Sequence, residues 1–140
     1  MSLHRTTFQQ LAEMRLAEAE LLHANQLWSG AYYLAGYSLE CALKAKIASS
    51  FRENEIPELK RVHKIYSHDL SSLLGLAGLK DELEAEMEKS AELRQCWTIA
   101  TEWSEQARYE IWTEERAAAI LKAVGGEEGL LRWLLKRLQA

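Results

Sequence analysis

At 140 residues the chain is the size of one domain and long enough to bury a single substantial core. A formal net charge of −4 gives no overall basic footprint for nucleic acid, leaving only a local basic patch open. One proline, seven glycines and much Ala, Leu and Glu argue for helices, and the two cysteines, Cys41 and Cys96, make neither a zinc nor a redox pattern.

The first ten residues are polar and lack the apolar segment of a signal peptide, so a cytoplasmic location is expected, with no membrane association. A first helix is expected from a cap at Thr6 or Thr7 to about His23, because Phe8, Leu11, Ala12, Leu16, Ala19 and Leu22 recur at helical spacing. Asn25 and Gln26 mark a turn. A second helix follows, from about Ser29 to Phe51, and the short connection pairs it with the first as a hairpin.

The stretch Trp28 to Ile47 is the centre of the chain. Between Ala31 and Leu43 its only charged residue is Glu40, and a helix apolar on nearly all sides belongs inside a bundle. Gly36, costly in a helix interior, suggests that a neighbouring backbone approaches closely there. Tyr33, Tyr37, Glu40 and Lys44 share one side of the helix. They read either as a groove for a nucleotide or as a plain Glu-to-Lys pair beside tyrosines. In the groove, aromatic faces take a base, Lys44 a phosphate and Glu40 a hydroxyl. A carboxylate in so apolar a helix needs a partner, and Lys44 and Arg108 are the candidates.

Residues 52–66 are the least regular, with Pro57 blocking a continuous helix. Ser67-His68-Asp69-Leu70 then opens a short helix to Leu76, with Ser67 or His68 as its cap and Asp69 in its first turn. One helix is expected from Lys80 to Trp103. Its glutamates face solvent, and Leu93, Cys96, Trp97, Ala100 and Trp103 form a core stripe. Ser104 to Trp112 connects onward and carries Glu105, Arg108 and Tyr109. Thr113 starts a helix that buries Ala117, Ile120, Leu121 and Val124; Gly125-Gly126 interrupts it, and a last segment runs from Gly129 to Leu138. The expected architecture is all-α, a single domain over 1–140 built as an antiparallel bundle of four to five main helices. His63 and His68 with Asp69 are too weak a pattern for a metal, and no metal or cofactor is expected.

Several of these residues carry a family resemblance. Gly36-Tyr37-x-x-Glu40-x-x-Leu43-Lys44, after a Tyr-Leu-Ala run, resembles the second helix of HEPN domains. His68-Asp69-Leu70, Trp103, the Arg108-Tyr109 pair and the Ala-rich segment from Ala117 to Trp133 follow in the family's order over essentially the whole chain. The resemblance implies a HEPN-like bundle, similar to the substrate-binding subunit of a nucleotidyltransferase, and a homodimer. Some HEPN domains are RNases, with an Arg and a His four to six residues apart near the start of the last long helix. Here Arg108 stands in about that place, but Thr113, Glu114 and Glu115 hold the His positions. The resemblance therefore implies a non-catalytic module that binds a nucleotide or a partner protein such as a nucleotidyltransferase, in a toxin–antitoxin or stress setting. Its ligand-binding residues are Tyr33, Tyr37, Glu40, Lys44, Arg108 and Tyr109. The alternative is a metal-independent HEPN-type RNase acting on RNA through Arg61 and His68, which have six residues between them, or through Arg108 with a substitute base.

Overall fold

The Asn25-Gln26 turn sets the topology. Gln26 takes a positive φ of 63°, and the Asn25 side chain donates to the Leu21 carbonyl, so the chain reverses abruptly after the first helix. The structure, a computed structural model, describes residues 4–51 and 58–138, apart from the side chain of Arg61. Pro57 lies outside the described residues. The elements are α1 (Arg5–Ala24), α2 (Trp28–Ser49), α3 (Leu59–Ile65), α4 (Leu70–Leu76), α5 (Lys80–Lys89), α6 (Ala91–Thr101), a 3-10 segment (Glu105–Tyr109), α7 (Glu114–Gly125) and α8 (Leu130–Leu138). Among the described residues there is no strand, and no helix is long and apolar enough to cross a membrane.

The fold is therefore all-α, with more and shorter helices than the four or five expected. The single helix expected over Lys80 to Trp103 is two. Ser90 leaves the helical region (φ −134°, ψ 106°), and its hydroxyl accepts from the Leu93 N–H as the cap of α6. Part of the stretch expected to be irregular forms α3. The cap of α4 is Asp69 itself, not Ser67 or His68; its carboxylate accepts from Ser71 N–H and from the Ser72 hydroxyl.

The helix α2 runs through the middle. It packs against α1, α4, α7, α8 and the 3-10 segment. Ala31, Ala35, Leu39, Ala42, Leu43 and Ile47 are all fully buried, which is why the sequence there carries so few charges. Small residues let α1 lie close. Leu22 meets Gly30 near the turn, and the Ser38 hydroxyl donates to the Ala12 carbonyl at 2.6 Å two turns farther along, the order of an antiparallel pair. α7 and α8 close the other sides with Ala117, Ile120, Val124, Leu130, Leu131 and Leu134.

Gly36 has a different cause from the backbone approach expected for it. What comes close is a side chain: a Cβ at Gly36 would stand 2.3 Å from the indole of Trp103, itself buried. Gly36→Ala should therefore destabilise the fold by about 1–3 kcal/mol, because the indole must move. Gly30→Ala, whose Cβ would meet only the tip of Leu22 at 3.1 Å, should be neutral or stabilise by up to about 1 kcal/mol. Urea denaturation of the two variants measures the contrast; equal effects would contradict the packing described.

Candidate functional site

On α2, Tyr37, Glu40, Cys41 and Lys44 fall three, four and seven residues apart and so share a flank. α1 brings Phe8 to that flank, and the end of α3 brings Ile65 and Tyr66. The turn before α4 adds His68. That turn is held locally, because the Asp69 N–H donates to Ser67 Oγ while the Asp69 carboxylate caps α4. Together these residues enclose a cleft of about 350 Å³. Its floor is buried, whereas Tyr66 and His68 are its exposed members.

Glu40 lies at the bottom, 1% exposed. Its Oε2 accepts from Lys44 Nζ at 3.2 Å and pairs with His68 Nδ1 at 3.0 Å. The other face of the His68 ring places Nε2 3.2 Å from Glu105 Oε2, on the 3-10 segment. Only an imidazolium, with an N–H on each nitrogen, donates to both carboxylates. Three elements are thus joined through one imidazole. The other carboxylate oxygen of Glu40, Oε1, is buried and has no hydrogen-bond partner among the described residues. A buried acceptor left without a donor is costly, so this atom marks an unfilled hydrogen-bonding position.

The partner foreseen at Lys44 is present, but Arg108 does not bridge to Glu40. Its guanidinium is fully exposed and lies over the Tyr109 ring at 4.9 Å; Tyr109, and then Tyr33, hold its pKa above the ordinary value. His68 takes the bridging role instead. Of the residues proposed to bind a ligand, Tyr37, Glu40 and Lys44 line the cleft. Tyr33 stacks on Tyr37 and on Trp103, both at 6.0 Å, without lining it, and Arg108 and Tyr109 stand apart from it. Phe8, Ile65 and Tyr66 are cleft residues that spacing on α2 cannot reveal, whereas Cys41, four residues from Tyr37 on the same flank, is one that this spacing could have marked. Trp103 is core, and Trp97 and Trp112 pack against it; Trp112 stacks on Tyr32 at 3.8 Å. Arg61 sits in α3 with its side chain outside the described residues.

A larger groove of about 710 Å³ lies between α6 and α7; its charged side chains, Glu92, Lys122, Glu127 and Glu128, are exposed, and its buried titratable group is the Cys96 thiol, which burial holds above its ordinary pKa. Among the described residues no three His, Cys, Asp or Glu side chains gather into a group fit to hold a metal. Comparison with protein-family models, with curated proteins and with solved structures gives no match for this chain.

Burial, and then the Glu40 charge, pushes the Cys41 thiol up from 9.0 to about 11. Burial also raises the Tyr37 hydroxyl, with Cys41 and Glu40 adding to it. Both groups therefore stay protonated near neutral pH and offer hydrogen-bond donors, not nucleophiles. A pKa raised by folding favours the native state below the unfolded value, and that advantage is lost as pH rises through the folded one. The stability contributed by Cys41 should accordingly disappear between pH 9.0 and about 11. Across that window the wild type should lose about 2–3 kcal/mol more than Cys41→Ala. Chemical denaturation at a series of pH values checks this, and parallel profiles for the two proteins would contradict it.

Proposed function

We propose that the chain is a HEPN-like, non-catalytic binding module whose ligand is a nucleotide held in the cleft over Glu40. The observation that carries this reading is the buried, unpartnered Glu40 Oε1 at the base of a cleft that also holds Lys44, Tyr37 and Tyr66. A ligand supplying one donor to that oxygen and flat apolar surface to the rings fills both needs, and a volume near 350 Å³ lies at the small-ligand end of known pockets. The all-α architecture around a central apolar helix is compatible with the HEPN resemblance of the sequence. By analogy with that family, the module is a homodimer and its protein partner is a nucleotidyltransferase.

The reading as an RNase through Arg61 and His68 meets a chemical obstacle. Both ring nitrogens of His68 already face carboxylates, so neither is free to take a proton from a ribose hydroxyl.

Thermal-shift measurements on the purified protein with the four ribonucleotides test the proposal. At least one should raise the melting temperature in proportion to the logarithm of its concentration, and RNA incubated with the protein should stay intact. No shift with any nucleotide, or RNA cleavage that His68→Ala abolishes, would overturn it.

A further inference from the structure

The polar groups of the cleft do not suit every part of a nucleotide equally. Glu40 and Glu105 bring two negative charges, and Lys44 with a protonated His68 brings two positive ones. The cluster is neutral at best, because the charge of Lys44 is already balanced by Glu40 at 3.2 Å, although its ammonium keeps N–H donors to spare. A phosphate placed here would be a buried anion beside the Glu40 carboxylate, and because Glu105 offsets His68 from outside the cleft there is no surplus cation to balance it, which is strongly unfavourable. The walls argue in the same direction. Phe8, Tyr37, Ile65 and Tyr66 offer apolar and aromatic surface, which suits a planar ring and not a charged tail.

Resting on the nucleotide reading, we propose that the nucleobase, and not the phosphate, occupies the cleft. One N–H of the base edge donates to Glu40 Oε1. The carboxylate reaches it by turning about its terminal bond, a soft torsion. A neighbouring ring nitrogen or carbonyl of the base accepts from a free N–H of Lys44, whose ammonium carries three donors. Such an adjacent donor and acceptor is what a base edge provides and a phosphate lacks. Tyr66, 59% exposed at the mouth, lies along the ring, and the sugar and phosphates remain in solvent.

Calorimetric titration of the intact protein with the four ribonucleosides, their 5′-monophosphates and ribose 5-phosphate tests the placement. A nucleoside should bind within about threefold of its monophosphate, since the phosphate lies outside, and ribose 5-phosphate should not bind. Glu40→Gln should weaken the nucleoside at least about tenfold, because the remaining amide oxygen goes to Lys44 and an NH2 then faces the base donor. Should that variant fold poorly, Tyr66→Ala provides the check: its side chain is exposed, so its melting temperature should stay unchanged while affinity falls roughly fivefold or more. Ribose 5-phosphate binding as tightly as the nucleotide, with nucleosides inert, would overturn the base-inward placement and leave nucleotide binding standing. So would an undiminished affinity in Tyr66→Ala. Failure of every nucleotide and nucleoside to bind would overturn both.

Discussion

A carboxylate cannot enter the middle of a helical bundle unless cations and donors arrive with it. In this protein that constraint falls on Glu40. Its helix, α2, is the element that α1, α4, α7, α8 and the 3-10 segment pack on, and the rest of its central stretch is apolar. Lys44 comes with the same helix, one turn away. His68 has to come from elsewhere, and it arrives because Asp69 caps α4 and fixes the turn just before it. Glu105 then meets the far side of the same imidazole, which links the 3-10 segment to the network. The placement of three separate pieces of chain is thus tied to the solvation of one buried charge.

The network is incomplete in one respect, and that respect bears on function. Two groups serve Glu40 Oε2, while Oε1 is served by none of the described residues. A fold that needed only a structural ion pair would be expected to satisfy both oxygens, or to replace the pair with apolar side chains at no loss of stability. The remaining cleft groups are protonated donors or aromatic faces, and the pKa shifts of Cys41 and Tyr37 disfavour nucleophilic chemistry. Recognition is the behaviour such a set performs best. It also explains why an open cleft persists beside so tightly packed a core, where Trp103 leaves no room for a Cβ at Gly36.

Much of this was legible in the sequence, for local reasons. The run from Ala31 to Leu43 announces a buried helix, and its one charge announces the need for a partner. Lys44 could be named because helical spacing is fixed by geometry. His68 could not, because it lies 28 residues from Glu40 and only the route of α3 and α4 brings it there. Arg108 looked equally eligible by residue type, yet the 3-10 segment presents Glu105 to the network and turns Arg108 to solvent. The break at Ser90 was hidden because apolar periodicity continues on both sides of it, although Ser90 with Glu92 two residues later is a helix-start signal. Cleft residues from α1 and α3 depend on tertiary packing, which no spacing on α2 encodes.

The central claim is that the fold accommodates the charge of Glu40 but does not need it for stability, the charge being kept for a ligand. The most direct test replaces the pair together, Glu40→Met with Lys44→Met, so that neither charge is left buried alone. The doubly substituted protein should melt at or above the wild-type temperature and lose all binding of nucleosides. A melting temperature lower by ten degrees or so, on the order of 2 kcal/mol for a domain of this size, would show that the ion pair holds the fold and contradict the account.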